Sequence, residues 1–106
     1  MARSPHLVVA LSAHGFGHAA QAAPAVNALR RLRPDLRVTL RTAVPRWFLD
    51  GRYEGPFHLH PGGREVGMHM HGPAEVDADA SAAAYRDLVD RWEPWVAEEA
   101  AVLDEL

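Results

Sequence analysis

Two histidines bracket a short glycine-rich run, Ala13-His14-Gly15-Phe16-Gly17-His18, near the start of the 106-residue chain. An imidazole with an ordinary pKa of about 6.5 exchanges protons at neutral pH, so either ring can take a proton from a substrate hydroxyl or donate a hydrogen bond to a phosphate. Both roles suit group transfer. The run does not have the GxGxxG spacing of a dinucleotide fingerprint, and no Lys-Ser/Thr pair follows it as in a Walker P-loop, so binding through those two motifs is disfavoured. The alternative is structural: the glycines shape a turn that side chains would obstruct, and the imidazoles bond only backbone.

Other residues able to do chemistry are scattered. His58/His60 and His69/His71 have the HxH spacing that puts two rings on one side of an extended strand, a geometry open to zinc. No third ligand stands at a metal-site spacing and cysteine is absent, so no metal and no other cofactor is expected. Met68-His69-Met70-His71-Gly72-Pro73 reads either as a solvated connection or as a substrate-contacting loop, with Met70 and His71 as the binding residues. Trp47, Trp92 and Trp95 could stack on sugar rings, although tryptophans at helical spacing serve core or interface more often, and Trp92 is expected in the core. Arg30, Arg31, Arg33, Arg37 and Arg41 could offer an anion site or peripheral contact with an acidic membrane, but a solvated helix end explains at least the first three and is the preferred reading.

The elements that would position these residues follow from periodicity. His6 to Ser12 is a short apolar run, the pattern of a strand inside a parallel sheet. After the glycine corner, Ala19 to Leu32 is helical, with Ala22, Val26, Leu29 and Arg33 on one face; Pro24 is cheapest if the regular helix begins near Gln21. Leu36 to Thr42 alternates, predicting a strand with Leu36, Val38 and Leu40 buried and Arg37, Thr39 and Arg41 on a polar face. Pro45 to Leu49 predicts one helical turn, Phe57 to His60 a short strand, and residues 61–78 a long surface loop. From Ser81 to Leu106 apolar residues recur at helical intervals, predicting a long helix capped by Asp79 or Ser81 and bent at Pro94. The order β-α-β-α-β-α is that of a parallel sheet flanked by helices, and its first strand-to-helix loop lies at the edge where such sheets bind ligands.

The run Ser12-Ala13-His14-Gly15-Phe16-Gly17-His18-Ala19 resembles the first glycine-rich loop of GT-B glycosyltransferases, the family 28 group in particular, and His14 through Ala19 is similar to the HGFGHA run in the glycosyltransferase-like N-terminal domain of arabinokinases. The resemblance extends weakly through the following helix and strand and into residues 67–77. It implies an α/β fold, a partial Rossmann-like parallel sheet, with residues 1–106 forming one incomplete N-terminal, acceptor-side domain. It further implies transfer of a sugar from a nucleotide-sugar donor to a hydroxyl acceptor, with His18 and then His14 as catalytic candidates and Gly15, Phe16 and Gly17 as acceptor-binding residues. In that family a second Rossmann-like domain binds most of the donor, so residues 1–106 alone are expected to show no transferase activity.

Composition bounds the remaining choices. One domain is the ceiling at this length, and 48% hydrophobic residues suffice for its core. A formal charge of -3 gives no attraction toward nucleic acid. The absence of cysteine fits a reducing, cytoplasmic compartment, and neither a signal peptide nor a membrane span is read. Two rivals to the transferase stay open: a non-catalytic sugar- or nucleotide-sensing module of a larger protein such as a sugar kinase, and an interaction domain that forms a homodimer through an unpaired sheet edge.

Overall fold

Three extended segments pair in parallel to carry the histidine loop: β1 (His6–Ala10), β2 (Arg37–Thr42) and β3 (His58–Pro61), in the order β1-β2-β3. This computed structural model describes residues 4–62 and 69–106, and the chain divides into two compact units, residues 1–63 and 64–106. The first unit is a mixed α/β arrangement of the parallel sheet with helices α1 (Gly17–Leu32) and α2 (Arg46–Asp50) as its crossovers.

Side chains alternate across a strand, so the register decides which residues share a face. Leu7 pairs with Val38, Val9 with Leu40, and Leu40 with Leu59. These residues form the core together with Ala19, Ala23 and Val26 of α1 and Leu49 of α2. Both crossovers pack on this face, as expected when successive right-handed connections step the same way across a sheet.

The opposite face carries the polar residues of β2, yet it is not a solvated one. Thr39 is 3% exposed and Arg41 8%, against the sequence expectation that only the apolar residues of β2 would be buried. The reason is position: β2 is the central strand, covered on both sides by neighbours. The buried polar groups are partnered. His6 Nε2 lies 2.7 Å from Thr39 Oγ1, and Arg41 Nη1 donates to His60 Nδ1 at 2.6 Å.

Helix α1 begins at Gly17 and buries Ala19, Ala23, Val26 and Asn27, a face rotated from the expected one; Leu29 and Leu32 point to solvent. Small alanines allow close approach to the sheet, and polar residues fix the rotation. Asn27 Nδ2 donates to the Arg52 carbonyl at 2.9 Å while its Oδ1 accepts from Glu54 N at 2.9 Å. Arg30 donates to the carbonyls of Glu54 and Pro56. The two side chains thereby tie the 52–56 turn to the helix, and Gly55 at its tip is required: its φ is +72° and a Cβ there would stand 2.6 Å from Arg30 Nη1. Pro24 falls inside the helix, not in its first turn, and is exposed, so it removes one backbone bond without displacing the packed face.

Tyr53 closes the core from the other end, with its hydroxyl donating to the Ala19 carbonyl at 2.8 Å. Burial raises its pKa above the usual tyrosine value. The folded state therefore holds the phenolic proton more tightly than the unfolded chain does. The corresponding stability is complete below about pH 10 and is lost as pH rises through the folded pKa. Tyr53→Phe is expected to cost about 1 kcal/mol at neutral pH and to flatten the alkaline decline. Urea midpoints between neutral pH and pH 11 check this; a variant with the wild-type alkaline slope would contradict it.

In the second unit, β4 (Met70–Gly72) and β5 (Glu75–Val76) form an antiparallel hairpin about Pro73-Ala74, where the sequence predicted only loop. A two-residue connection is enough to pair short flanking strands. The part of that expected loop at residues 63–68 lies outside the described residues. The expected bent helix is two helices, α3 (Ala78–Asp90) and α4 (Trp92–Glu105). The break falls at Arg91, which leaves Pro94 in the first turn of α4, where the missing N–H costs no helical bond. Asp77, not Asp79 or Ser81, caps α3 by accepting from Ala80 N at 2.9 Å. Ser81 instead accepts from His69 N at 2.8 Å and is buried. Trp92 is 57% exposed, against its expected place in the core; it is the first residue of α4, directly after the helix break. No described helix is long and apolar enough to cross a membrane.

Candidate functional site

The chain leaves β1 beside β2, with Leu11 N still donating to the Arg41 carbonyl at 3.1 Å, then turns through His14, Gly15 and Phe16 into α1. Gly15 makes the turn with φ +82°, a backbone conformation that side-chain-bearing residues rarely adopt. His14 N donates to Ser12 Oγ at 3.2 Å, which steadies the start of the corner. Phe16 occupies the N-cap without a side-chain cap bond, and its carbonyl accepts from Ala20 N at 3.0 Å. The free amides of the first turn and the positive end of the α1 dipole thus stand at the C-terminal rim of the sheet.

His14, Gly15, Phe16, Gly17 and His18 are all brought together on this corner, and all are exposed. His18 is the second residue of α1, so its backbone is fixed by the helix while its ring is open to solvent. Gly17 departs from the turn-shaping role read in the sequence. It is the first helical residue, its φ is not positive, and a Cβ at either glycine would meet nothing within 4 Å. Only Gly15 is required by backbone conformation. Gly15→Ala is expected to lower stability by about 1–2 kcal/mol, and Gly17→Ala to be neutral or slightly stabilising. Thermal unfolding of the two variants checks the contrast; equal losses would contradict it.

Helix α2 follows the C-terminal end of β2, the neighbour of β1, and so meets the corner at the same rim. Phe16 lies 4.5 Å from Phe48 in a tilted ring contact and 5.8 Å from Trp47 in a perpendicular one. Arg52 covers Phe48, with its guanidinium carbon 4.4 Å from the ring centroid. Trp47 keeps 70% of its surface exposed. The sequence reading held Trp47 as one of three stacking candidates and missed its link to Phe16. The available signal is the position of Arg46-Trp47-Phe48 at the end of the short connection that follows β2.

The remaining candidates are carried by other elements. Met70, 48% exposed, and His71 sit on β4 in the second unit, where His71 Nε2 is 3.5 Å from Asp77 Oδ2. His58 and His60 share a strand face, with ring centroids 6.5 Å apart. A guanidinium only donates, so the Arg41 contact means that His60 Nδ1 carries the lone pair and Nε2 the proton. Among the described residues no three His, Asp or Glu side chains converge as a metal site. The arginines do not converge either: Arg31 pairs with Glu54, and Arg33 forms a two-pronged pair with Asp35 at 3.0 Å. That pair raises the Arg33 pKa and holds the Asp35 carboxyl below its usual range through hydrogen bonding, but it is fully exposed to solvent screening.

No family model, no curated protein and no solved structure matches the chain. Fold and site define a mixed α/β chain with a histidine-bearing corner at the C-terminal edge of a parallel sheet.

Proposed function

We propose that this chain is the acceptor-side, Rossmann-like part of a GT-B-type glycosyltransferase, moving a sugar from a nucleotide-sugar donor to a hydroxyl acceptor in a reducing, cytoplasmic setting. The observation that carries the reading is the Gly15 corner, which sets two exposed imidazoles, His14 and His18, beside the open N-terminus of α1 at the C-terminal rim of the sheet. Open parallel sheets bind ligands at that rim. His18 is the general base: its neutral imidazole takes the proton of the acceptor hydroxyl as that oxygen bonds to the anomeric carbon and the nucleoside diphosphate leaves. His14 orients the acceptor, or serves as the base in its place. Gly15, Phe16 and Gly17 line the acceptor side, while the donor binds chiefly to a second Rossmann-like unit outside residues 1–106.

The test is release of nucleoside diphosphate from a panel of nucleotide sugars by the polypeptide that bears this chain. Release should depend on an added sugar acceptor, and residues 1–106 alone should give only background. Turnover by residues 1–106 alone would contradict the division of labour. Binding of a nucleotide sugar without turnover would favour a sensing module instead.

A further inference from the structure

A largely exposed aromatic stands beside Phe16 of the histidine corner. Trp47 is 70% exposed, so folding gains little from its burial, yet its position is fixed on two sides. Phe16 and Phe48 meet it at 5.8 Å and 6.0 Å, both with their planes at 82° to the indole. Perpendicular contacts hold the ring without closing a parallel slot over it. Phe16, which makes one of these contacts, has His14 two residues before it and His18 two residues after it. A broad apolar surface thus contacts the residue that stands between the two histidines along the chain.

We propose that Trp47 is the stacking platform of a pyranose subsite, on which the acceptor sugar lays its C–H face while its hydroxyls reach the His14 and His18 imidazoles. The proposal rests on the glycosyltransferase reading and deepens it by naming the acceptor class. The chemistry favours a pyranose: it has one apolar face and a rim of hydroxyls, matching a one-sided aromatic surface bordered by imidazoles. A nucleobase stacks on both of its faces and is best held between two parallel rings, which this arrangement does not supply. Arg52 reinforces the platform from behind by lying over Phe48, and so keeps Phe48 against Phe16.

The experiment is calorimetric titration of the chain with methyl glycosides of glucose, galactose and N-acetylglucosamine, with AMP and UMP as competitors of another class. At least one pyranoside should bind and shift the Trp47 indole N–H resonance of the wild-type chain, a readout independent of any variant. Trp47→Ala should weaken that binding about tenfold or more. Trp47→Phe should recover part of it, and Trp92→Ala, at an exposed tryptophan of the other unit, should leave it unchanged. Wild-type affinity in Trp47→Ala, preferential binding of the nucleotides, or no pyranoside binding would each overturn the subsite. Failure of the two readings can be told apart. Pyranoside binding at Trp47 with no transfer by the intact polypeptide sinks the transferase alone, whereas full transfer by Trp47→Ala sinks the subsite alone.

Discussion

His18→Ala is expected to reduce sugar transfer by about 10²- to 10⁴-fold, the contribution of a positioned general base, while the thermal midpoint stays within about 1 °C of wild type. The two halves of this expectation come from the same placement. His18 is exposed and no core residue depends on its ring, so truncation leaves the packing of Ala19 and Ala23 behind it intact. Its backbone is locked in the first turn of α1, so the ring sits on a rigid support at the sheet rim. Alanine also suits a helical position, which offsets any small loss of solvation. The loss should fall mainly on kcat, because a base acts as the hydroxyl becomes nucleophilic and contributes little to ground-state binding. His14→Ala, at the second candidate base, should have the smaller effect. Full activity in His18→Ala would remove it as the base.

Leu40→Ala should produce the largest stability change, about 2–5 kcal/mol. Leu40 is completely buried on the central strand, paired between Val9 and Leu59. Truncation there opens a cavity under α1 that three paired strands cannot easily collapse. A domain of this size has about 5–15 kcal/mol in total, so the variant approaches the unfolding limit at 37 °C. Leu32→Ala is the matched control: Leu32 is 78% exposed, and its loss should stay within about 0.5 kcal/mol. Urea midpoints with unchanged m-values would establish both. A Leu40→Ala loss no larger than that of Leu32→Ala would mean that the core is misplaced.

The strands and the corner were legible because their signals are local. The apolar run of β1, the alternation in β2 and the HxH of β3 each suit extended backbone, and glycine at position 15 marks a positive-φ turn that joins β1 to α1. What stayed hidden depends on neighbours. The buried face of α1 is set by Asn27 and Arg30 reaching the carbonyls and amides of the 52–56 turn, partners about 25 residues away that no helical period reveals. Burial of Thr39 and Arg41 follows from β2 being central, and strand order is not written in its alternation. Pro94 marked a disturbance in the last helix, yet the break came three residues earlier because proline is tolerated in a first turn. Within the site, the histidines could be named from sequence, whereas the Phe16–Trp47–Phe48 cluster requires the pairing of β1 with β2 to bring two loops to one rim.

The central claim is that the Gly15 corner is where this chain meets a sugar. The most direct measurement is a series of ¹H–¹⁵N correlation spectra of the chain during titration with the same methyl pyranosides. The account predicts progressive shifts of the Gly15, Phe16, Gly17 and His18 amides, with the amides at the far end of α1, residues 29–32, unmoved. Shifts confined to residues 78–105, or a corner that stays still while sugar binds, would contradict it.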